Sequence, residues 1–264
     1  MEFLRVRAPF TLPSGEPSTV SSLNVLGVIP ARIGSTRLPR KVLREIAGEP
    51  MLAWVYRAAR ASGQLRQVLI ATDAEEVMEF AQQKGLPAIF TPEDCASGTD
   101  RVFVVAQSID ADVYVNIQGD EPMLTPAHFT ALLAPFEQPH VQVSTLSVPC
   151  SEDDIANPNA VKVVTAADGR ALYFSRATIP YDRDAAGFTG YRKHLGLYAY
   201  RKAALRRFAA LPPSRLEEVE RLEQLRLLEN GIDIHVAEAP GSTIGVDTEE
   251  DLRAVEQLLL ARKK

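Results

Sequence analysis

Val25-Leu26-Gly27-Val28-Ile29-Pro30-Ala31-Arg32, continuing as Ile33-Gly34-Ser35-Thr36-Arg37-Leu38-Pro39-Arg40-Lys41, decides how this chain is read. An apolar run from Val25 to Ile29 empties into a loop in which Arg32, Arg37, Arg40 and Lys41 surround a Gly-Ser-Thr turn. A short apolar run bounded by turn residues reads as a buried strand. Similar runs occur at Val68 to Ala71, Ala88 to Phe90 and Val113 to Ile117. Helical patterns lie between them at Met51 to Ser62, Ala74 to Lys84 and Thr99 to Ser108, the first two stopped by Gly63 and Gly85. Strand and helix alternating at this spacing predict βαβ units on a parallel sheet.

The second half is less regular. Val141 to Val148, Val161 to Val164, Leu195 to Tyr200 and Ile232 to Ala237 read as strands, which makes the expected sheet mixed. Ser214 with Glu217 forms a capping box before a long helix expected to run to about Asn230, and Thr248 with Asp251 forms another before a C-terminal helix. Residues 1–23, rich in Pro, Ser and Thr, show neither period and are expected to be a flexible leader. Residues 24–264 are expected to be one domain, with 173–230 as a lobe on it.

The chain has 264 residues and a formal net charge of −5, from 29 Lys plus Arg against 34 Asp plus Glu. That mild acidity argues against coating nucleic acid or anionic membrane by bulk charge, so any polyanion site must be local. Two cysteines and four histidines, in no metal-ligand spacing, exclude a disulfide framework and a four-ligand zinc site. The apolar runs fall far short of the ~20 residues needed to span a bilayer. A cytoplasmic protein is expected.

The loop after the first strand of a parallel α/β sheet is the usual ligand crevice. Its cations can converge on phosphate oxygens, although it is neither a Walker loop nor a G-x-G-x-x-G turn. Asp120 and Glu121 follow the Val113 to Ile117 strand, where carboxylates repel one another and any bound phosphate unless a cation intervenes. A divalent ion, Mg2+ above all, meets that need with one or two carboxylates, phosphate oxygens and water. Asp247, before the last helix, reads alone as a capping acid; together with Asp120 it becomes a candidate second ligand.

Eight blocks in order carry a resemblance: Pro30-Ala31-Arg32 with Ser35 to Pro39 and Lys41, Ser97 to Arg101, Asn116 to Pro122, Asn157 to Val164, Tyr173 to Pro180, His194-Leu195-Gly196, Leu222 to Arg226, and Gly245 to Thr248. From about Leu23 onward the chain resembles the 3-deoxy-manno-octulosonate (KDO) cytidylyltransferases, the CMP-KDO synthetases. The N-acylneuraminate cytidylyltransferases share the first-strand loop but should lack the Tyr173 and His194 blocks. The resemblance implies the Rossmann-like nucleotide-diphosphosugar transferase fold and a homodimer. It also implies transfer of CMP from CTP to the anomeric hydroxyl of KDO, with release of pyrophosphate, for lipopolysaccharide synthesis. By the same resemblance Arg32, Arg37 and Lys41 hold the triphosphate, and Asp120 and Asp247 hold Mg2+. Ser97, Gly98, Thr99 and Arg101 approach the cytidine with Thr72 and Asp73. Gln118, Arg176, His194, Tyr198, Glu223 and Gln224 receive the sugar. Arg40 stands where relatives commonly have a small residue.

Overall fold

In the computed structural model, which describes residues 23–34 and 38–262, the first apolar run forms β1 (Val25–Ala31), with Val28 and Ile29 wholly buried. A small hairpin, β2 (Glu45–Ile46) and β3 (Glu49–Pro50), precedes α1 (Met51–Ala61). Then follow β4 (Gln67–Thr72), α2 (Glu75–Lys84), β5 (Ala88–Phe90), α3 (Gly98–Ser108) and β6 (Val113–Asn116). After α4 (Pro126–Leu133) come β7 (Val143–Pro149), α5 (Glu152–Ala156), β8 (Lys162–Thr165), β9 (Ala171–Ser175) and β10 (Arg192–Arg201). The described chain closes with α6 (Lys202–Ala210), α7 (Arg215–Glu220), α8 (Leu225–Glu229), β11 (Ile234–Glu238) and α9 (Glu249–Arg262). The architecture is α/β with mixed, mostly parallel strand pairing. Two compact units divide the chain: one runs to Phe129 and resumes at Thr243, and the other is Thr130–Ser242. The expected lobe, 173–230, falls within the second. The expected leader lies outside the described residues except for Leu23. No helix among the described residues is long and apolar enough to cross a membrane.

In the first unit β1 lies between β6 and β4, β5 flanks β4, and all four strands are parallel. Val28 pairs with Asn116, Ala31 with Thr72, and Thr72 with Phe90. This register brings the residues that follow the strands, Arg32, Asp73, Thr91 and Gln118, to one sheet edge. The carboxyl ends of parallel strands are where α/β sheets bind ligands. α2 stops at Gly85, whose φ of 65° is left-handed, and α3 starts at a capping box in which the Ser97 hydroxyl accepts the Asp100 amide.

One apolar cluster in this unit decides the site. Leu38, Met123 and Val246 are buried together with Ile46, Met51, Leu252, Val255 and Leu259 of β2, α1 and α9. Burying each such side chain is worth about 1.5–3 kcal/mol. Leu38 stands three residues before Lys41, Met123 three after Asp120, and Val246 next to Asp247. Packing of their neighbours therefore draws three chain segments together.

In the second unit β7 pairs in parallel with β11 and antiparallel with β10, and β8 joins β10 to β9. Between Leu195 and Tyr198 the β10 register shifts, so Gly196 and Leu197 stand outside the ladder with β7. The Thr145 hydroxyl lies across that bulge, 3.2 Å from the Leu195 carbonyl and 2.9 Å from that of Leu197.

The single long helix expected from Ser214 to about Asn230 is two short ones. Arg221 is left-handed, with φ 54° and ψ 47°, and ends α7 before α8 begins at Leu225. The physical reason lies outside the helix: the Arg176 guanidinium takes the Glu220 carbonyl at 2.7 Å and the Arg221 carbonyl at 3.3 Å, the groups a continuing helix would have used. Glu223 and Gln224 consequently lie in the break and not on a helix face.

Candidate active site

Lys41, Asp120 and Asp247 meet in the first unit. The Lys41 ammonium donates to Asp120 at 2.5 Å and to Asp247 at 2.9 Å. A backbone bond from the Val246 amide to the Asp120 carbonyl, 2.9 Å, ties the two acidic loops together. Gly119 lets the Asp120 loop lie against β1 and the segment after Lys41, since a Cβ there would meet the Pro30 carbonyl at 3.1 Å and Val42 at 3.2 Å. Burial pulls the Lys41 ammonium toward neutrality, but the two carboxylates outweigh it and hold its pKa above the ordinary value.

Asp247 does not cap α9. The Thr248 hydroxyl accepts the Asp251 amide at 3.2 Å, and the Asp251 carboxylate accepts the amides of Asp247 and Thr248 at 3.0 and 2.9 Å. Asp247 presents its carboxylate to Lys41 instead.

Among the described residues no group of three or more His, Cys, Asp or Glu side chains could hold a metal ion. Two carboxylates do converge on one cation, the Lys41 ammonium. This suits Mg2+, which completes its shell with water and phosphate oxygens and does not require an all-protein cage.

The residues expected at the nucleotide divide by role. Arg32 is exposed at the sheet edge, while Arg37 lies outside the described residues. Arg40 adopts the left-handed conformation, with φ 57° and ψ 31°, and forms an ion pair with Glu76 of α2. Thr72 is buried, and its hydroxyl accepts the Ala74 amide at 3.1 Å. Arg101 has no exposed surface: it donates to Asp73 at 2.6 Å and to the Thr91 hydroxyl. It is thus a brace for Asp73 and the β5 end. Gly98 lies against the Asn116 side chain, which donates to the Thr99 hydroxyl at 3.2 Å and accepts from Gln118 at 3.3 Å. Gln118, expected at the sugar, therefore shares a network with the first turn of α3.

The other five residues expected at the sugar are in the second unit. The His194 ring lies edge-on to Phe174 and tilted against Tyr198, and its Nε2 is 2.9 Å from the Thr145 hydroxyl. That hydroxyl has a single proton, directed to the bulge carbonyls, so it accepts from His194 Nε2–H. Burial pushes the His194 pKa down to about 3, which fixes a neutral ring at neutral pH. Burial, then Tyr200 and Glu223, raise the Tyr198 phenol well above its usual range. Among the described residues the buried Gln224 side-chain nitrogen has no hydrogen-bond partner, and the buried Tyr198 hydroxyl has at most the Thr145 hydroxyl. Such atoms are costly to leave unpaired and mark a place for a hydrogen-bonding ligand or water. Arg176 is differently engaged: besides the two carbonyls at the α7 end it takes the Pro158 carbonyl at 3.0 Å, so three of its five N–H groups are held by backbone.

Several supporting residues were missed. Glu220 accepts from the Ser175 hydroxyl at 2.6 Å and the Arg176 amide at 2.9 Å. Lys162 is wholly buried and donates to the carbonyls of Asn157 and Ala160 at 2.7 and 2.5 Å. The available signal was polar residues inside apolar strands: Lys162 before Val163-Val164, and Thr145 between Ser144 and Leu146.

A family model described as cytidylyltransferase matches residues 26–234. A 3-deoxy-manno-octulosonate cytidylyltransferase of Acidobacterium capsulatum is 96% identical over 245 residues, covering 93% of this chain and 100% of its own length. The protein of that name from Koribacter versatilis is 56% identical over 254 residues, covering 96% of this chain and 97% of its own. Among solved structures, a CMP:2-keto-3-deoxy-manno-octonic acid synthetase complexed with CTP superimposes with a TM-score of 0.86 at 43% identity, covering 90% of this chain and 99% of the other. This likeness also establishes the transferase fold expected from the sequence. The chain belongs to the cytidylyltransferase family and, within it, to the 3-deoxy-manno-octulosonate cytidylyltransferases.

Proposed function

We propose that the protein performs the reaction for which its relatives are named. The anomeric hydroxyl of KDO attacks the α-phosphorus of CTP, the bond to the bridging oxygen of the β-phosphate breaks, pyrophosphate leaves, and the hydroxyl proton passes to solvent. The product, CMP-KDO, is the activated sugar for lipopolysaccharide synthesis. The observation that carries this reading is the convergence of Lys41, Asp120 and Asp247 at the ligand edge of a parallel sheet. Nucleotidyl transfer depends mainly on positioning and charge neutralisation, so a site without a dedicated nucleophile suits it.

In this reading Asp120 and Asp247 hold Mg2+. When bound, the ion would neutralise phosphate charge and lower the pKa of the sugar hydroxyl. Lys41 and Arg32 bind the triphosphate, and Lys41 meets charge developing at the α-phosphate. Asp73, held by Arg101, and the first turn of α3 border the cytidine. His194, Tyr198, Glu223 and Gln224 supply a neutral imidazole, a phenol, a carboxylate and an amide, a mixture fit for the hydroxyls of KDO. Exposed Leu172, Tyr181, Phe188, Leu216 and Val219 of the second unit support a two-fold dimer, the commonest assembly. Light scattering at assay concentration tests it, and a fully active monomer counts against it.

The decisive assay crosses CTP, UTP, GTP and ATP with KDO and N-acetylneuraminate, with Mg2+ or with a chelator, and reads pyrophosphate. Release only with CTP, KDO and Mg2+ is expected. Faster release with another nucleotide, or full activity under chelation, would overturn the respective part of the reading.

A further inference from the structure

Two carboxylates brought to one point need a cation there, and in this structure the cation belongs to the chain. Lys41 is 14% exposed in its side chain, against 28% for Asp120 and 45% for Asp247, so the ammonium is the most enclosed of the three. Its bonds of 2.5 and 2.9 Å engage one oxygen of each carboxylate. With Lys41 in place the formal charge of the cluster is −2 + 1. A divalent ion in its place brings the carboxylates to zero, and the displaced ammonium becomes available to phosphate.

We propose that Lys41 is a placeholder: without nucleotide its ammonium occupies the position between Asp120 and Asp247 that the divalent ion takes, so that the metal and the lysine pair exclude each other. The inference rests on the reading of the two aspartates as metal ligands. Its consequence is coupling. The free protein binds the metal weakly because most molecules hold the lysine pair. Triphosphate, by offering Lys41 other anionic partners, raises metal affinity, and metal by reciprocity raises nucleotide affinity.

The test uses the full chain without nucleotide and Mn2+ as probe, read by electron paramagnetic resonance of the free ion. Wild type is compared with Lys41→Met and with Lys41→Met combined with Asp120→Asn or Asp247→Asn. If the lysine pair holds about 90–99% of molecules, Lys41→Met binds one Mn2+ roughly ten- to a hundredfold more tightly than wild type, because apparent affinity scales with the competent fraction. Either Asp→Asn change then removes the gain. Equal or weaker binding by Lys41→Met that is still lost on Asp→Asn overturns the placeholder and leaves the metal site standing. Binding indifferent to both Asp→Asn changes, or absent throughout, overturns both. Circular dichroism verifies folding, and Lys41→Gln carries the same comparison if Lys41→Met does not fold.

Discussion

The backbone amide of Asp247 donates to the carboxylate of Asp251 at 3.0 Å, while the Asp247 carboxylate accepts Lys41 at 2.9 Å. Helix capping and site chemistry are thus divided between residues four apart. Asp247→Asn should leave stability within about 1 kcal/mol, since the pair it weakens is half-exposed. Turnover should fall about a hundredfold or more, the scale of losing one electrostatic contact to a transition state. Asp120→Asn should behave alike, and the double variant should be far less than additive because both act through one ion. Near wild-type turnover in Asp247→Asn, measured by pyrophosphate release, would remove it from the site.

Arg101 is fully buried and Asp73 partly so. Arg101→Met leaves that carboxylate and the Thr91 hydroxyl without their donor, and should cost roughly 2–4 kcal/mol, moderated by the water Asp73 still meets. Arg101→Lys should recover little, since one ammonium cannot reproduce the fork. Urea denaturation reads both, and a loss below ~1 kcal/mol would contradict the brace.

Arg176 gives its donors to three backbone carbonyls. Arg176→Lys keeps the charge and loses the fork, so it should lower stability by about 1–3 kcal/mol. The KM for KDO should rise, through displacement of Glu223 and Gln224, with that for CTP little changed. An unaltered melting temperature with a raised KM for KDO would instead indicate direct contact with the sugar.

The His194 ring is neutral and shielded by Phe174 and Tyr198, its pKa pushed down to about 3 by loss of solvation, although the residue as a whole keeps some exposed surface. In the unfolded chain the ring has its ordinary value near 6.5. Between these two values the unfolded state binds the proton and the folded state does not, so stability is lost as pH falls through this window. The slope should approach ~1.4 kcal/mol per pH unit from this group. His194→Asn should flatten the curve relative to wild type between pH 6 and pH 4. Parallel curves for the two proteins would show that the ring protonates in the fold.

Arg221 holds a left-handed conformation, with φ 54°, at the end of α7. Glycine adopts it without the Cβ penalty, so Arg221→Gly should stabilise the protein by about 0.5–1 kcal/mol despite the extra entropy of the unfolded chain. A melting temperature lower than that of wild type would show that the Arg221 side chain contributes more than the strain costs.

The strands were legible because a buried strand advertises itself locally. β5 occupies Ala88–Phe90 as read, and β1, β4 and β6 lie within two residues of their expected bounds. The Thr248 and Asp251 box likewise needs only residues three apart. What failed was the helix from Ser214 to Asn230. Its apolar spacing and cap were real, but a guanidinium 44 and 45 residues distant in sequence takes the carbonyls that would have continued it.

By itself the sequence determined the α/β class, the first-strand loop as ligand edge, the family, and the types of residue the chemistry needs, because each is carried by composition and short-range pattern. Tertiary structure decided which of those residues meet. Lys41 reaches Asp120 and Asp247 across sequence separations of 79 and 206, after Leu38, Met123 and Val246 have packed into one apolar cluster. Arg101 and Arg176 read in the sequence as cations for ligands, and the fold directs them to Asp73 and to backbone carbonyls. The reason is common to both: a charged side chain states what it can bind, and only burial settles which partner lies within 3 Å and is shielded from water.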